Sequence, residues 1–378
     1  MILINALGIQ DSGGIRVLEK LLKECTIDSD NKYIIICNNN VNIQILFAKY
    51  VKNKTIIFEI IENNGFLYRL YYENIIFKKI VFEKKVKLIY NFSGTTQLLL
   101  ATPQLLKIQN LLFYTKKIDS VYKEQGKLLL WIKEIALKRI IFNFMSNNSL
   151  YLEIQSSHVK KNMSDFITVD NKTFFIKSDI NVEREEFLIP VKYNFRYKIK
   201  FLYIVGPHFE YTHKNFQDFT NVMLEINKLS IDFEINVTLS KEELEYSPLW
   251  EKSLNCKTNF LGYISDKKEM NKLFCNNTIL ISTSIIETLG LHVIEAIKKG
   301  VIPIAPSEEY SYSVYGENII TYDLFSTKSL FNSILSIINN KIDYKNNILM
   351  LQNDLINSEK NKYRSIVDIF QKVIDVQK

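Results

Sequence analysis

Two glutamates eight positions apart are the residues best placed to do chemistry in this chain. Glu287 and Glu295 lie in the segment SIIETLGLHVIEAIKKGVIPIAP, residues 284–306. The apolar run ILIS just before it predicts a buried strand. Residues from Leu291 onward follow helical spacing until Gly300, which is placed to end the helix. The predicted order is strand, loop, helix and strand, with Glu287 in the loop and Glu295 about one and a half turns into the helix.

That arrangement suits a phosphorylated ligand. Open α/β sheets bind ligands beyond the carboxyl ends of their parallel strands. A helix N-terminus at that edge presents free N–H groups and a positive dipole end to a phosphate. Glu287 would lie beside such a phosphate, and Glu295 would reach a neutral hydroxyl-bearing group such as a ribose. The alternative interpretation is a solvated helix in which one glutamate only caps the N-terminus.

The same segment resembles a motif in the C-terminal domain of the retaining GT-B glycosyltransferases of the group 1 type, glycosyltransferase family four. The motif is a serine, then E-x-F/T-G-L-x-x-x-E-A, then a glycine and a strand. The matching positions are Ser284, Glu287, Thr288, Gly290, Leu291, Glu295, Ala296 and Gly300. The resemblance implies an α/β fold of the GT-B type, with two Rossmann-like domains that face a central cleft and a C-terminal helix that crosses back to the first domain.

The resemblance also implies where the donor diphosphate binds. Family members hold it with basic residues after the first strand of the second domain, commonly an arginine just after a glycine and a lysine further on. Here the glycine is Gly206, no arginine follows it, and His213-Lys214-Asn215 matches a form found in part of the family. Lys214 and Glu287 are therefore expected to act in catalysis; the alternative for Lys214 is an exposed lysine that starts a helix. The expected donor-binding residues of the second domain are Gly206, His213, Gly262, Tyr263, Ser284, Thr288, Leu289, Gly290, Leu291 and Glu295.

The first half of the chain begins with a strand, a turn and an amphipathic helix, predicted by ILINAL, GIQDSGG and IRVLEKLLKE. Gly13 and Gly14 in that turn would let the backbone approach a ligand at the helix N-terminus; a turn without a ligand is the alternative. The run LLKIQNLLFY, residues 105–114, predicts a strand that carries Gln109 and Asn110. The family often has His-Asn or His-Asp there, so both residues are expected at the donor sugar, although glutamine cannot titrate near neutrality.

Length and composition fit two domains. A chain of 378 residues, 47% of them hydrophobic, has enough material for two cores. The expected domains are residues 1–190 and 191–360, followed by a C-terminal helix over residues 361–378. Four cysteines without a C-x-x-C pair indicate reduced thiols in a cytoplasmic protein. The N-terminus lacks the features of a signal peptide, and no apolar run reaches the roughly 18 to 20 residues that span a bilayer.

No metal or other cofactor is expected. The four histidines form no H-E-x-x-H pair, and no D-x-D pattern stands in a suitable place. Nucleic acid is not expected as a partner, because the net charge of +7 comes mainly from lysines that form no nucleic-acid-binding motif. Basic and aromatic residues mix in Gly65–Lys85 and Lys127–Met145, which predicts contact with a membrane surface. The alternative is two ordinary helices with solvated lysines.

Together these features predict a retaining glycosyltransferase. It would move a hexose-type sugar from a UDP-, GDP- or dTDP-sugar donor to a saccharide acceptor, expected to be lipid-linked and at the inner face of the cytoplasmic membrane. The many Asn, Ile and Lys residues indicate an AT-rich coding sequence, as in bacterial clusters for O-antigen, lipopolysaccharide or capsule synthesis. Two alternatives remain open: a GT-B-fold nucleotide-sugar epimerase, which would need further acid–base groups, and an inactive sugar-nucleotide-binding scaffold.

Overall fold

The structure, a computed structural model, describes residues 1–9, 12–62, 65–92, 94–98, 100–180, 184–206, 208–339, 341–357, 363 and 365–376. The chain divides into two compact units. The first unit comprises Met1–Asp119, Lys123–Asn181 and Glu359–Lys378, and the second comprises Ser120–Tyr122 and Val182–Ser358. Each unit contains its own parallel β-sheet, so each has the Rossmann-like architecture that the sequence predicts.

The first unit is built on a seven-stranded parallel sheet. Its strands are β1 (Ile2–Ala6), β2 (Tyr33–Asn38), β3 (Ile56–Ile61), β4 (Leu88–Asn91), β5 (Gln104–Lys107), β6 (Tyr151–Ile154) and β7 (Thr173–Ile176). In space they lie in the order β3-β2-β1-β4-β5-β6-β7. Every residue of β1 and β2 is buried, and both strands are rich in isoleucine, as expected for parallel strands that are covered on both faces.

Helices pack on both faces of this sheet. Before residue 181 they are α1 (Ser12–Ile27), α2 (Val41–Tyr50), α3 (Gly65–Tyr71), α4 (Phe77–Glu83), α5 (Lys117–Glu124), α6 (Leu128–Trp131), α7 (Leu137–Asn147) and α8 (Ser157–Met163). A π-helical segment, Tyr72–Ile76, joins α3 to α4, and a second one, Ile132–Ala136, joins α6 to α7. Side chains alternate along β1, so that Ile2 packs with α1 and Leu3 packs with α4.

The last helix of the chain belongs to the first unit. Helix α16 (Ile366–Asp375) buries its apolar face in the core that also contains β1, β2 and β4. The Phe370 ring lies 5.0 Å from the ring of Tyr90, edge to face. Glu24 accepts a hydrogen bond of 2.6 Å from the backbone N–H of Ile366, at the positive end of the helix. The predicted return of the C-terminal helix to the first unit is confirmed.

The second unit contains a six-stranded parallel sheet in the order β10-β9-β8-β11-β12-β13. The strands are β8 (Ile199–Tyr203), β9 (Phe233–Val237), β10 (Thr258–Phe260), β11 (Thr278–Ile281), β12 (Ile302–Pro306) and β13 (Ile320–Tyr322). Its helices are α9 (Phe216–Asn227), α10 (Lys241–Glu245), α11 (Lys267–Lys272), α12 (Leu291–Lys298), α13 (Glu309–Tyr315), α14 (Thr327–Ile338) and α15 (Tyr344–Asn357), with 3-10 turns at Arg184–Glu186, Thr212–Lys214 and Lys252–Lys257. Among the described residues of both units, no helix is both long and apolar enough to cross a bilayer.

Each sheet has one switch point, where the strand order reverses. In the second sheet the chain runs outward from β8 through β9 to β10, and then returns to β11 beside β8. In the first sheet the equivalent neighbours are β1 and β4. Ligands of doubly wound sheets bind outside the carboxyl ends of the strands at such points. The two switch points are therefore the places where the fold positions a site.

The division between the units falls after residue 181, whereas the expected division lay after residue 190. The reason is that the intervening segment hydrogen-bonds to the second unit. The N–H of Leu188 donates to the Lys298 carbonyl over 2.8 Å, and that of Val191 donates to the Gly300 carbonyl over 2.9 Å. Charge and Pro190 marked the right region, but these pairings are not visible in the sequence.

Two predictions of local structure in the first unit were wrong. The expected strand over residues 105–114 ends at Lys107, and Leu111–Tyr114 forms a 3-10 helix instead. Asn110 caps that helix, because its side-chain oxygen accepts the N–H of Leu112 over 2.9 Å. Helix α1 begins at Ser12, so Gly13 and Gly14 lie in its first turn and not in a preceding loop.

Candidate functional site

Several residues predicted to bind the donor lie at the switch point of the second sheet, where β8 and β11 are neighbours. Two segments meet there: the loop of residues 282–290, which follows β11, and the 3-10 helix Thr212–Lys214. The backbone N–H of Ile285 donates to the His213 carbonyl over 2.8 Å. This bond ties the loop to the turn that carries the predicted basic residues.

A buried threonine fixes the backbone at Lys214. Thr283 Oγ1 donates to the Lys214 carbonyl over 2.8 Å and lies 2.7 Å from the hydroxyl of Tyr203. Thr283 and Tyr203 are both buried. Because buried polar groups that are fully hydrogen-bonded rigidify their surroundings, the Lys214 side chain projects from a fixed point.

Lys214 and Glu287 form the central pair of the site. The Lys214 ammonium lies 2.8 Å from Glu287 Oε1. Their side chains are 28% and 16% exposed, so the pair is partly sheltered and its cation is still reachable by a ligand. The two residues predicted to be catalytic are therefore brought together, 73 positions apart in the chain.

Glu287 is ionised in this setting. Burial raises the pKa of its carboxyl group, but the charge of Lys214, the nearby His292 and a hydrogen bond from Ser284 outweigh burial and lower that pKa to about 2. Ser284 is itself held, because Tyr310 donates from its hydroxyl to the Ser284 carbonyl over 2.5 Å. The loop thus presents a carboxylate at a defined position.

Gly290 shapes the entry to α12. Its φ is +57°, in the left-handed region that favours glycine. A Cβ at this position would lie 1.9 Å from the hydroxyl oxygen of Tyr315, so no other residue fits without movement. The N–H of Val293 returns to the Gly290 carbonyl over 2.9 Å and begins the helix. The first N–H groups of α12 are left for a ligand or solvent, as at any helix N-terminus.

Two histidines of this site remain neutral near pH 7. Burial lowers the pKa of His213 to about 4, and Lys214 adds to that effect. Its Nδ1 atom is buried and has no hydrogen-bond partner among the described residues. Burial also lowers the pKa of His292 to about 4, and its Nε2 atom lies 3.0 Å from Ser282 Oγ. His292 was not among the predicted site residues, although its place inside the E-x7-E segment could have indicated it.

The residue after Lys214 anchors the turn to the rest of the unit. Asn215 has a φ of +48° and precedes α9. Its side-chain N–H donates to Asp218 over 2.6 Å, and the same buried carboxylate accepts the hydroxyl of Tyr322 and the N–H of Phe325. Burial raises the pKa of Asp218. Sequence patterns did not indicate this carboxylate, whose role is to hold the turn.

The remaining predicted residues of the second unit lie on neighbouring segments. Glu295 is half-buried in the second turn of α12, and Leu289 is buried in the core. Gly206 follows β8 and is exposed. Gly262 follows β10, has a φ of +64° and donates its N–H to the Leu239 carbonyl, and Tyr263 beside it is 66% exposed. The donor contacts expected of these residues stay predictions.

No protein-family model matches the chain, and no curated protein does either. Solved structures do match. The chain is similar to Anabaena Alr3699/HepE in complex with UDP and glucose, with a TM-score of 0.65 and 11% identity over 100% of this chain and 98% of that one. It is also similar to the lipopolysaccharide outer core galactosyltransferase WaaB, with a TM-score of 0.62 and 13% identity over 100% and 99%. These likenesses cover both units of the chain.

The fold is GT-B. The predicted fold class is therefore confirmed, and the neighbours include GT-B glycosyltransferases. The chain is also similar to a putative UDP-N-acetylglucosamine 2-epimerase from Listeria monocytogenes, with a TM-score of 0.56 and 10% identity over 96% of each chain. Within the described residues, no three His, Cys, Asp or Glu side chains are grouped so that they could hold a metal ion.

Proposed function

We propose that the protein is a retaining glycosyltransferase that moves a hexose-type sugar from a nucleotide-diphosphate donor to an acceptor hydroxyl. The Lys214–Glu287 pair carries the proposal, because it sets a cation at the sheet's switch point beside the loop that leads into α12. A fixed cation and a helix N-terminus are what a departing diphosphate needs. The similar Anabaena protein was solved with UDP and glucose, which supports a UDP-sugar as the donor.

Donor binding would rearrange the central pair. The Lys214 ammonium is bonded to Glu287, and the diphosphate would compete for that ammonium. The released carboxylate of Glu287 can then accept hydrogen bonds from the hydroxyls of the donor sugar. Glu295, further along α12, would accept the hydroxyls of the ribose. One ion pair thus couples the binding of the diphosphate to that of the donor sugar.

The chemical step breaks the bond between the anomeric carbon and the diphosphate oxygen. Negative charge grows on the diphosphate as the sugar gains oxocarbenium character, and Lys214 with the N–H groups of α12 would stabilise that charge. The acceptor oxygen bonds to the anomeric carbon on the face that the diphosphate leaves, and its proton passes to the departing oxygen. We assign no covalent nucleophile and require no metal.

We further propose a lipid-linked saccharide acceptor, as in the synthesis of lipopolysaccharide or another bacterial surface glycan. The support comes from the continuous helix formed by α6, the π-segment and α7. Four large apolar side chains on it are largely exposed: Leu129 by 83%, Leu137 by 60%, Ile140 by 68% and Phe144 by 55%. Apolar side chains of this size on one helix mark an interaction surface.

Charge favours an anionic membrane as the partner of that surface. Lys127, Lys133 and Lys138 are exposed along the same helix. The inner face of this helix is attached to the first unit by Asp119, which accepts hydrogen bonds from Arg139 and from the Trp131 indole. An amphipathic helix with exposed leucines and lysines fits the interface of an anionic bilayer.

An epimerase is the second candidate, since one similar structure is a putative UDP-N-acetylglucosamine 2-epimerase. A panel of UDP-, GDP- and dTDP-sugars, with and without lipid-linked saccharides, separates the two. A transferase releases nucleoside diphosphate only with an acceptor, and its product keeps the anomeric configuration of the donor. An epimerase yields an isomerised donor or free sugar without an acceptor. Absence of turnover with every donor, together with tight nucleotide binding, would leave an inactive scaffold and refute the proposal.

A further inference from the structure

The second residue of α12 is a histidine that faces the central pair. His292 Nε2 lies 3.0 Å from the hydroxyl of Ser282, which directly follows β11 at the carboxyl edge of the sheet. His292 interacts electrostatically with both Glu287 and Lys214. It also precedes Glu295 by three positions on the helix, which places the two side chains on the same side. The ring is thus placed at the start of α12, next to the loop that carries Glu287.

The His292 imidazole is uncharged near neutral pH. Burial lowers the pKa of the imidazole to about 4, Glu287 opposes this effect and Lys214 adds to it. The N-terminal end of α12 also disfavours a cation. From α13, Tyr310 and Tyr315 pack against the same loop, and their raised pKa values keep both phenols neutral. Glu287 is thus the anionic group that faces His292 from the loop, and Lys214 is the cationic group that faces it from the 3-10 turn.

We propose that His292 is a donor-binding residue that takes up a proton when the diphosphate occupies the N-terminus of α12. This inference rests on the proposed function. The diphosphate of a nucleotide sugar carries two fixed negative charges, and one opposite charge within a few ångströms raises the pKa of such a group by roughly 1 to 3. Two such charges beside His292 would raise the pKa of its imidazole and favour the imidazolium.

The proton would supply a second positive charge at the diphosphate site, in the place of the arginine that this sequence lacks. No arginine follows Gly206, and Lys214, the cation that the structure shows bonded to Glu287 of the loop, is shared with that carboxylate. An imidazolium formed at His292 adds a second positive charge only when the diphosphate is present. Before the diphosphate binds, Lys214 would be one cation beside a neutral imidazole; once it binds, both cations would stabilise the leaving group.

Calorimetry of nucleotide-sugar binding tests this directly. Titrations of the full-length protein with UDP-glucose and GDP-mannose at pH 6.5, in buffers of different ionisation enthalpy, give the number of protons taken up. These diphosphates do not titrate near neutrality, so any proton taken up from the buffer binds to the protein. We expect uptake of a substantial fraction of one proton by the wild type. His292→Gln should abolish the uptake and weaken binding by about tenfold, as for loss of a charge-assisted hydrogen bond.

His213→Gln is the matched control, because His213 lies in the same site and also has a pKa of about 4. If that variant abolishes the uptake and His292→Gln does not, the proposal is overturned in favour of His213. Wild-type binding without proton uptake would also overturn it, while leaving the proposed function standing. Failure of the wild type to bind any nucleotide sugar would instead refute the proposed function.

A measurement on the wild type covers the case in which His292→Gln does not fold. The ring protons of His292, assigned by comparison with Ser282→Ala, should shift from neutral to imidazolium positions at pH 6.5 when UDP-glucose is added. Ser282→Ala removes the Nε2 partner but keeps the histidine, so it should retain the uptake. Ring signals that stay at their neutral positions in the saturated protein would contradict the proposal.

Discussion

The Lys214 ammonium and the Glu287 carboxylate are 2.8 Å apart, although 73 residues separate them in the chain. Three further bonds fix this distance: Ile285 N–H to the His213 carbonyl, Thr283 to the Lys214 carbonyl, and Tyr310 to the Ser284 carbonyl. The pair is therefore a preorganised part of the second unit. A donor that binds here meets a cation whose backbone is already fixed, and its diphosphate then competes with Glu287 for the ammonium.

Replacement of Lys214 should affect the chemical step more than binding. In Lys214→Ala we expect kcat to fall by about a hundredfold or more, because negative charge grows on the diphosphate as the sugar leaves. Lys214→Arg should recover only part of the rate, since the two cations differ in shape and reach. Steady-state kinetics with the donor found in the nucleotide-sugar panel measure both. Wild-type turnover in Lys214→Ala would show that another group stabilises the leaving diphosphate.

Glu295 should contribute to nucleotide affinity. Its replacement in Glu295→Ala removes a charge-assisted hydrogen bond to the ribose, worth about 1.5 to 3 kcal/mol. Affinity for the nucleoside diphosphate should then fall by roughly ten- to hundredfold, while the unfolding temperature changes little because the residue is only half-buried. Calorimetry with UDP, GDP and dTDP measures the effect. Unchanged affinity for all three nucleotides would show that Glu295 does not contact the ribose.

Gly290 should tolerate substitution far less well than Gly262. Both residues have a positive φ, but a Cβ at Gly290 would meet the Tyr315 hydroxyl at 1.9 Å, and a Cβ at Gly262 would meet nothing within 4 Å. Gly262→Ala should therefore lower the free energy of unfolding by only about 1 kcal/mol, the strain of a side chain in the left-handed region. Gly290→Ala should lower it by about 1 to 3 kcal/mol more, because its Cβ overpacks the site.

Chemical denaturation of the two alanine variants measures this difference. Tyr315→Phe should recover part of the loss in Gly290→Ala, because it removes the hydroxyl that the Cβ meets first. Equal destabilisation at the two glycines would mean that the left-handed backbone alone accounts for the cost.

Low pH should lower the stability of the second unit, because Glu287 becomes protonated. Its folded-state pKa of about 2 lies below the ordinary value of 4.5, so its stabilisation is complete above pH 4.5 and is lost as pH falls towards 2. Glu287→Gln should therefore be less stable than the wild type at pH 7, by up to about 3 kcal/mol, and the difference should shrink below pH 4.5. Denaturation midpoints at pH 7, 4 and 3 measure it. Glu269→Gln, which removes one partner of an exposed ion pair with Lys272, is the surface control and should change the midpoint little. A difference for Glu287→Gln that stays constant with pH would contradict the assignment.

The order of elements around Glu287 could be predicted because it depends on local rules. The buried run before Ser282, the helical spacing from Leu291 and the position of Gly300 each indicate one boundary, and the structure places β11, α12 and β12 there. The alternating strands and helices likewise indicate two parallel sheets. Local patterns thus determine the fold and the main loop of the site.

Contacts between distant segments could not be predicted. Thr283, Tyr203 and Asp218 act through hydrogen bonds to residues far away in sequence, and no motif marks them. The first unit gives a second example: Lys107 ends the buried strand β5 and bonds to Glu153 and Asp179 at 2.7 and 2.6 Å. A lysine in an apolar run suggests an exposed position, and only the fold shows that two buried carboxylates compensate its charge.

The helix from Leu128 to Asn147 should bind anionic membranes, and the helix from Gly65 to Glu83 should contribute less. The second helix buries Phe77, Ile80 and Val81 in the core, although Phe82 is exposed. Each lysine near an anionic surface contributes roughly 1 kcal/mol, so Lys127, Lys133 and Lys138 together account for about a hundredfold in partitioning. We therefore expect the protein to sediment with phosphatidylglycerol vesicles at low salt and to be released as salt rises.

Two triple variants test which helix makes this contact, each compared with the wild type on phosphatidylglycerol and phosphatidylcholine vesicles. Lys127→Gln/Lys133→Gln/Lys138→Gln should reduce binding to the anionic vesicles by about a hundredfold at low salt. Lys78→Gln/Lys79→Gln/Lys84→Gln removes the same charge from the other helix and from Lys84, which directly follows it. This variant should change binding far less, because that helix presents fewer exposed apolar side chains. Leu129→Ser/Leu137→Ser should also weaken binding, since apolar burial supplies the part that salt does not screen. If the two lysine variants have equal effects, binding depends only on net charge and not on this helix. If the wild type does not bind vesicles, the proposed membrane contact is wrong and the acceptor is a freely diffusing molecule.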